Sequence, residues 1–254
     1  MSRGEFVGPP PSQWDRVVEE VLGSQEYEPG SFDVFPIIGK ASAGKNSIQA
    51  ILEEKLISQG FKINRSSAGD QIRQHQKETT GRRMRGHFTR PLEFDGRLDL
   101  ETAKNLINPS HKGQILLPEG RLLGFISAKL KGISSRKGLV LPGNIHPILI
   151  EASDAVRYQR EYDAIHADDP TVTFEEAKEY TRDQERGEQI VFTTLYPELA
   201  LIDWYSPNYK DETGKPVYEL HVDTSGNSAA FSARKILDFI TSTATVAKQL
   251  QIQK

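Results

Sequence analysis

The stretch DVFPIIGKASAGKNSIQAILEEKLISQ, residues 33–59, predicts the architecture on which the rest of the chain is built. A short apolar run at residues 34–38 is followed by a loop of small residues. Apolar side chains then recur at helical spacing from Ile48 to Leu56, and Gly60 is a typical helix stop. The stretch therefore predicts a strand, a glycine-bounded loop and a helix.

The loop between that strand and helix has the chemistry of a phosphate site. Gly39 and Gly44 permit backbone angles that turn N–H groups toward an anion, and the helix N-terminus adds partial positive charge. Lys45 adds a full charge that reaches the β- and γ-phosphates of a nucleotide. The spacing matches the phosphate-binding loop, except that Asn46 stands where a Ser or Thr hydroxyl ligates magnesium. The alternative is an ordinary strand-to-helix turn.

The composition limits the class of protein. The 254 residues and 37% hydrophobic content suit one large α/β domain with insertions, or one domain plus a small lobe. With 32 Lys and Arg against 35 Asp and Glu, the net charge of −3 gives no case for nucleic-acid or membrane binding. The absence of cysteine excludes disulfides and thiolate metal sites. Without a membrane-length apolar run or a secretory signal core, a cytoplasmic protein is the simplest expectation.

Residues 1–31 are predicted to form an N-terminal extension. After a proline run, Trp14, Val17, Val18 and Leu22 form a short apolar stripe at helical spacing. We expect a helix packed on the outside of the main domain, and a loose tail is the equally weighted alternative.

A second strand-to-helix turn is predicted at residues 61–73, with Arg73 one turn into the helix. From there to residue 90 the sequence is strongly basic, which indicates either a solvated face or a mobile anion-binding lobe. RNA binding through the cluster at residues 82–90 is a weaker alternative, because no aromatic stacking platform lies alongside.

The next apolar strand is predicted at residues 114–117 and ends in Pro118-Glu119-Gly120-Arg121. Ligands of open parallel sheets gather at the carboxyl ends of the strands, so Glu119 and Arg121 are expected beside Lys45. Glu119 would then hold a metal-bound water or orient the lysine, and Arg121 would grip a phosphate. An ordinary exposed turn is the alternative.

Three capping signals mark later helices. Asp154 is expected to cap the helix that follows a strand at residues 146–152. Thr173 and Glu176 predict a capping box, and Ser228 predicts the cap of a closing helix.

Paired arginines occur on the first two of these helices. Arg157 and Arg160 share a face of one, and Arg182 and Arg186 lie one turn apart on the next. Surface ion pairing would explain either pair alone. Because two linked helices both carry such pairs, residues 154–195 are predicted to form a lid.

Taken together, these segments match the order of motifs in a known enzyme family. The chain resembles the P-loop nucleoside monophosphate kinases, most closely the cytidylate kinases of the short archaeal type. The matching segments occur in family order between residues 33 and 241. They are GKASAGKNS (39–47), SAGDQIR (67–73), EGRLLG (119–124), ILIEASDAVRYQR (148–160), EEAKEYTRDQER (175–186) and YELHVDTS (218–225).

The resemblance implies an α/β P-loop kinase fold, a parallel five-stranded sheet flanked by helices, at residues 32–254. It also implies an acceptor-nucleotide lobe at residues 70–112 and an arginine-bearing lid. The implied reaction is phosphoryl transfer from ATP and Mg²⁺ to a nucleoside monophosphate, with CMP or dCMP favoured. The expected partners exclude nucleic acid and membranes, and a monomer is favoured.

The resemblance also implies roles for residues by position. The donor phosphates would be held by Gly39, Lys40, Ala41, Ser42, Ala43, Gly44, Lys45, Asn46 and Ser47. The acceptor would be bound by Ala68, Gly69, Arg73, Gly120 and Arg121. The residues implied to act on the transferring group are Lys45, Arg157, Arg182 and Arg186. Magnesium would be held by Asn46 and, through a water, by Glu119.

The sequence departs from the family pattern at several positions. Besides Asn46, the loop has Ala41 and Ser42 where the family prefers a proline–glycine pair, and residues 207–216 form an additional excursion. Leu122 stands where bacterial-type cytidylate kinases carry an Asp. Two alternatives therefore stay open: a P-loop kinase for another small acceptor, such as dephospho-coenzyme A or a metabolite hydroxyl, and a nucleotide-binding regulator without turnover.

Overall fold

A computed structural model describes residues 11–23, 26–80 and 91–245; the basic cluster at residues 82–90 lies outside this part of the chain. The strands are β1 (Phe32–Val34), β2 (Ile37–Ile38), β3 (Ile63–Ser67), β4 (Ile115–Gly120), β5 (Gly143–Ile145), β6 (Ile148–Glu151) and β7 (Leu220–Asp223). The helices are α1 (Pro11–Leu22), α2 (Lys45–Ser58), α3 (Ala68–Thr80), α4 (Leu92–Leu106), α5 (Leu123–Lys137), α6 (Asp154–Asp168), α7 (Phe174–Leu195) and α8 (Ala229–Thr243).

All ladders between these strands are parallel, and the seven strands lie in five lines. β1 and β2 both pair with β4 and form one line, which Pro36 interrupts because proline has no N–H to donate. Pro147 interrupts the neighbouring line between β5 and β6 in the same way. The ladder resumes at once, since the N–H of Ile148 donates to the carbonyl of Pro36 at 2.8 Å.

The order of the five lines across the sheet is β3, β4, β1 with β2, β5 with β6, and β7. The predicted α/β class, a parallel sheet flanked by helices, is confirmed. The predicted strand count of five is corrected to seven, because the two prolines divide two of the lines.

Helices cover both faces of the sheet because successive strand residues point to opposite faces. Val34 and Leu116 belong to a core shared with α1, α5 and α7. Ile37 and Leu117 belong to a second core shared with α2 and α8. The helix predicted in the N-terminal extension is present, and its Trp14 is buried with its ring centroid 5.7 Å from that of Tyr196.

Two sequence-based boundaries need correction. Ser153, not Asp154, is the N-cap of α6, and Asp154 is the first helical residue, where its carboxylate bonds to Arg157 instead. The strand predicted to end at residue 117 continues to Gly120, so Glu119 lies on the strand and not on a turn.

Two of the predicted caps are confirmed. Thr173 and Glu176 form the capping box of α7, and the Ser228 hydroxyl accepts a hydrogen bond from the backbone N–H of Phe231. None of the helices in the described ranges is both long enough and apolar enough to cross a membrane.

Candidate active site

The loop from β2 to α2 has the backbone of an anion-binding turn. Gly44 is the N-cap of α2 with φ of 98°, in the left-handed region that glycine adopts without strain. A Cβ on Gly39 would lie 2.4 Å from the carbonyl oxygen of Ile150, so only glycine allows this approach to β6. Both glycines that define the sequence motif are therefore required by the geometry of the loop.

Lys45 is buried within this loop. Its Nζ donates hydrogen bonds to the carbonyl oxygens of Gly39 at 2.8 Å and Lys40 at 2.9 Å. Burial lowers the pKa of Lys45 to about 8, and the attraction of Glu119 only partly opposes this shift. The ammonium has lost hydration, so an anion bound against it would be strongly favoured.

A cleft of about 920 Å³ opens in front of the loop at the carboxyl edge of the sheet. Most of the sequence-predicted site residues line it together. They are Ala41, Ser42, Ala43, Gly44, Lys45, Asn46, Ser47, Ala68, Gly69, Arg73, Glu119, Gly120 and Arg121. These residues therefore lie together at the carboxyl ends of the strands, where ligands of open parallel sheets gather, and their roles stay a prediction.

The cleft also carries two arginines that the sequence resemblance assigns to the acceptor, and both lie close enough to Lys45 for their charges to lower its pKa. Arg73, on α3, is partly exposed and paired with Asp70. Arg121, just beyond β4, is largely buried and paired with Glu188 of α7. Burial lowers the pKa of Arg121. A phosphate that reached Arg121 would compete with the Glu188 carboxylate for the guanidinium.

Glu119 provides the acidic group of the cleft. Its carboxylate accepts a short hydrogen bond from the Ser67 hydroxyl at the end of β3. Asn46, exposed at the start of α2, adds an amide oxygen. These hard oxygen donors suit Mg²⁺ bound partly through water. Among the described residues, no three His, Cys, Asp or Glu side chains are clustered closely enough to hold a metal ion.

Of Arg157, Arg182 and Arg186, the lid arginines assigned to the transferring group, Arg157 alone contacts the phosphate-binding loop in the described part of the chain. The side chain is 1% exposed and donates to the carbonyl of Ala41 at 3.1 Å. It also bonds to Asp154 at 2.6 Å and to Glu185 of α7. Arg157 therefore ties α6, α7 and the loop to one another.

The other two predicted lid arginines lie away from the cleft. The guanidinium carbon of Arg182 is 5.6 Å from the centroid of the Tyr158 ring. Arg186 is 66% exposed, with ion pairs of 3.2 Å to both Glu179 and Asp183. Neither lines the cleft in this conformation, so a role at the phosphates requires movement of α7.

Arg160 and Thr224 are site residues that sequence reasoning missed. Arg160 lines the cleft and donates to the Thr224 hydroxyl at 3.0 Å and to its carbonyl at 2.7 Å. The Thr224 hydroxyl also lies 2.9 Å from the carbonyl oxygen of Ala43 in the loop. The available signal was the spacing of Arg160 from Arg157 on one helix face.

Gln49 was also missed. It is buried on α2 and donates to the carbonyls of Ser66 at 3.0 Å and Leu117 at 2.5 Å. These bonds fix the first turns of α2 against the ends of β3 and β4, and so position the loop that precedes the helix. A buried polar residue on the apolar face of a predicted helix was the signal.

Comparison with known proteins gives structural similarity only. No family model matches the sequence, and no curated protein matches it. A gluconokinase from Sinorhizobium meliloti 1021 is 14% identical, over 90% of this chain and 99% of its own, with a TM-score of 0.47. The APS kinase CysC from Mycobacterium tuberculosis, in complex with AMPPNP and APS, is 14% identical over 84% and 99%, with a TM-score of 0.43. A tunicamycin resistance protein from Deinococcus radiodurans is 14% identical over 82% and 95%, with a TM-score of 0.41.

The geometry of this chain itself defines a class of site. A strand–glycine loop–helix unit with a buried lysine shares a cleft with two arginines at the carboxyl edge of a parallel sheet. Such an arrangement can bind a polyphosphate and a second anion.

Proposed function

We propose that this protein transfers the γ-phosphoryl group of ATP, with Mg²⁺, to a nucleoside monophosphate, with CMP or dCMP as the favoured acceptor. The observation that supports this most directly is the distribution of cations in one cleft. Lys45, on the loop, lines this cleft together with Arg73 of α3 and Arg121, which follows β4. Two anionic substrates can therefore bind in the same cleft.

The donor side of the proposed reaction uses the loop. Backbone N–H groups of residues 39–45 and the N-terminus of α2 would hold the β- and γ-phosphates, with Lys45 supplying a full charge. Asn46 would ligate Mg²⁺ through its amide oxygen, and Glu119 would hold a water of the ion. When bound, the metal neutralises phosphate charge that develops during transfer.

The acceptor side uses the arginines. Arg121 would release Glu188 and bind the acceptor phosphate through two N–H groups of its guanidinium. Arg73 would release Asp70 and bind the same phosphate. Phosphoryl transfer requires little covalent chemistry from the protein, and positioning with cationic stabilisation supplies most of the rate. Arg157 already lies at the loop, and Arg182 and Arg186 would join only after lid closure.

The choice of acceptor rests on the sequence resemblance. A kinase for another small phosphorylated or hydroxyl-bearing acceptor uses the same cations. A second class of function is supported by one feature: Asn46, exposed in the cleft, replaces the hydroxyl that normally ligates the metal. That substitution favours a nucleotide-binding regulator without turnover as the competing hypothesis.

A coupled assay of ADP release tests the proposal. The protein is incubated with ATP and Mg²⁺ and each of a panel of nucleoside monophosphates, with Lys45→Met as the matched inactive control. We expect turnover with CMP or dCMP above the rate of ATP hydrolysis without acceptor. ATP binding without transfer to any monophosphate would overturn the kinase proposal in favour of the regulator.

A further inference from the structure

A second cavity, the side chamber, opens beside the cleft and has a volume of about 570 Å³. It is bounded by the second half of α7 and by residues 199–205, which begin within the 3₁₀ segment Pro197–Leu201. Arg121, Glu188 and Phe192 line both cavities. The side chamber therefore begins at the arginine to which the acceptor phosphate is assigned above.

The walls of the side chamber suit a flat ring. Phe192 and Trp204 meet edge to face, with their centroids 6.1 Å apart, and Tyr205 continues the aromatic wall. Lys40, from the phosphate-binding loop, places its Nζ 6.0 Å from the Tyr205 ring centroid. A ligand here would find aromatic surface within the chamber and cations at the edge that faces the loop.

Trp204, in the wall of the side chamber, carries a hydrogen-bond donor without a well-aligned protein partner. Trp204 is 4% exposed, and its buried indole Nε1 lies near the Tyr205 hydroxyl but makes no hydrogen bond of good geometry in the described part of the chain. The Trp204 carbonyl, in contrast, accepts a hydrogen bond from the Tyr218 hydroxyl. Buried N–H groups are almost always paired, so an acceptor atom supplied by a ligand would complete this site.

We propose that the side chamber binds the ring of the acceptor substrate. The ring is a flat heterocycle with a carbonyl oxygen or ring nitrogen that accepts from Trp204 Nε1, and its phosphate lies at Arg121. A cavity of this volume is in the range that holds a small-molecule ligand. This inference rests on the proposed function, since it assigns the base of the nucleoside monophosphate to a chamber formed by the 199–205 segment.

Tryptophan fluorescence tests binding directly. The chain contains two tryptophans, so Trp14→Phe leaves Trp204 as the single reporter. We expect a saturable change in Trp204 emission when this variant is titrated with CMP without ATP. Ribose 5-phosphate, which has the phosphate but no base, should leave the emission unchanged. An unchanged emission at CMP concentrations that saturate turnover would overturn the inference.

Substitutions in the wall supply a second test. Ala200 is exposed and lines the side chamber, so Ala200→Phe adds bulk there without disturbing the core. We expect at least a tenfold rise in the KM for CMP with an unchanged KM for ATP. Ile190→Phe, on the exposed face of α7 and outside both cavities, is the matched control. A normal CMP KM in Ala200→Phe would contradict the proposal.

Trp204→Phe isolates the hydrogen bond, because it keeps an aromatic wall and removes the N–H. Loss of one such bond should raise the KM for CMP about fivefold to tenfold, with kcat little changed. A KM equal to that of the unmodified chain would show that Nε1 does not bind the ring.

The two proposals fail differently. If CMP is phosphorylated, but Trp204 emission does not change and Ala200→Phe keeps a normal KM for CMP, the kinase proposal stands and the chamber inference is wrong. If no monophosphate is phosphorylated but CMP changes Trp204 emission, and Ala200→Phe abolishes that change, the chamber stands and the proposed reaction falls.

Discussion

The Nζ atom of Lys45 lies 2.8 Å from the carbonyl oxygen of Gly39, so the lysine is folded over the loop that carries it. The contact joins the two ends of the glycine motif and holds the ammonium at the base of the cleft. A phosphate oxygen would meet a cation that has already lost most of its water. The resulting interaction is strong because no hydration shell has to be removed from the lysine at the moment of binding.

Replacement of this lysine should abolish transfer. Lys45→Met keeps the length and apolar stem of the side chain but removes the charge, and such a loss typically lowers kcat by about 10²-fold or more. ADP release at saturating ATP measures the effect. Lys55→Met, on an exposed turn of the same helix, is the control and should leave the rate unchanged. Near-normal turnover in Lys45→Met would contradict the assignment.

Nucleotide binding should depend on pH through the same group. The folded pKa of Lys45 is about 8, below its ordinary value of 10.5, so the folded state holds fewer protons than the unfolded state between these values. The free energy of unfolding contributed by Lys45 therefore rises with pH across that window. ATP requires the charged form, so its affinity should fall as the pH rises through about 8.

Calorimetry in buffers of different ionisation enthalpy checks this prediction. Near pH 8 we expect net proton uptake on ATP binding, because the bound phosphates favour the ammonium. Lys45→Met should show no uptake from this source. Proton release by the unmodified protein would contradict the predicted direction.

Arg73 and Arg121 should affect the acceptor and not ATP. Alanine at either position should raise the KM for the monophosphate by about tenfold or more, since a charge-assisted phosphate contact contributes about 1.5–3 kcal/mol. Arg121→Lys should also be impaired, because an ammonium does not reproduce the bidentate guanidinium geometry. Initial rates with each substrate varied in turn provide the measurement. Equal changes in both KM values would show that the assignment to the acceptor is wrong.

Arg157 and Arg186 should differ in their effect on stability. Arg157→Ala removes a buried cation that bonds to Glu185, Asp154 and a loop carbonyl, and we expect a loss of about 2–4 kcal/mol. Arg186→Ala removes exposed ion pairs and should change the free energy of unfolding by less than about 0.5 kcal/mol. Urea unfolding compares the two variants directly. A similar loss from both would contradict the structural role of Arg157.

Asn46 should weaken magnesium use. The amide oxygen is a competent hard donor, but it extends one atom further from the backbone than a serine hydroxyl, and Mg²⁺ demands short contacts in octahedral geometry. Asn46→Ser or Asn46→Thr should therefore lower the Mg²⁺ concentration for half-maximal activity by about threefold or more. Ala50→Ser, at an exposed position of α2 outside the cleft lining, is the control. If the substitutions raise the requirement, Asn46 has a different role in this cleft.

The sequence predicts the parts of the site that lie in local motifs. The phosphate-binding loop follows from the spacing of Gly39, Gly44 and Lys45. Glu119 and Arg121 follow from one rule about strand ends. Pro36 and Pro147 lie inside apolar runs of the sequence. That each proline divides one line of the sheet into two strands becomes apparent only when the neighbouring lines pair.

The residues that sequence reasoning missed depend on distant partners. Thr224 meets Ala43 and Arg160 meets Ser42, in both cases across more than 100 residues. No local pattern encodes such contacts, because they arise from how β7 and α6 pack against the loop. The side chamber has the same origin. Residues 199–205 have no regular pattern in the sequence, and they form the cavity only together with residues of α7.

The contact between Thr224 and Ala43 has a consequence for how the protein is made. The two residues are 181 positions apart, and the hydroxyl of Thr224, which directly follows the edge strand β7, donates to the loop. At typical translation rates, the ribosome needs about 10 to 40 seconds to travel from one to the other. A nascent chain in which the glycine loop is already complete still lacks this hydrogen bond. Nucleotide binding should therefore begin only after the final strand has emerged from the exit tunnel.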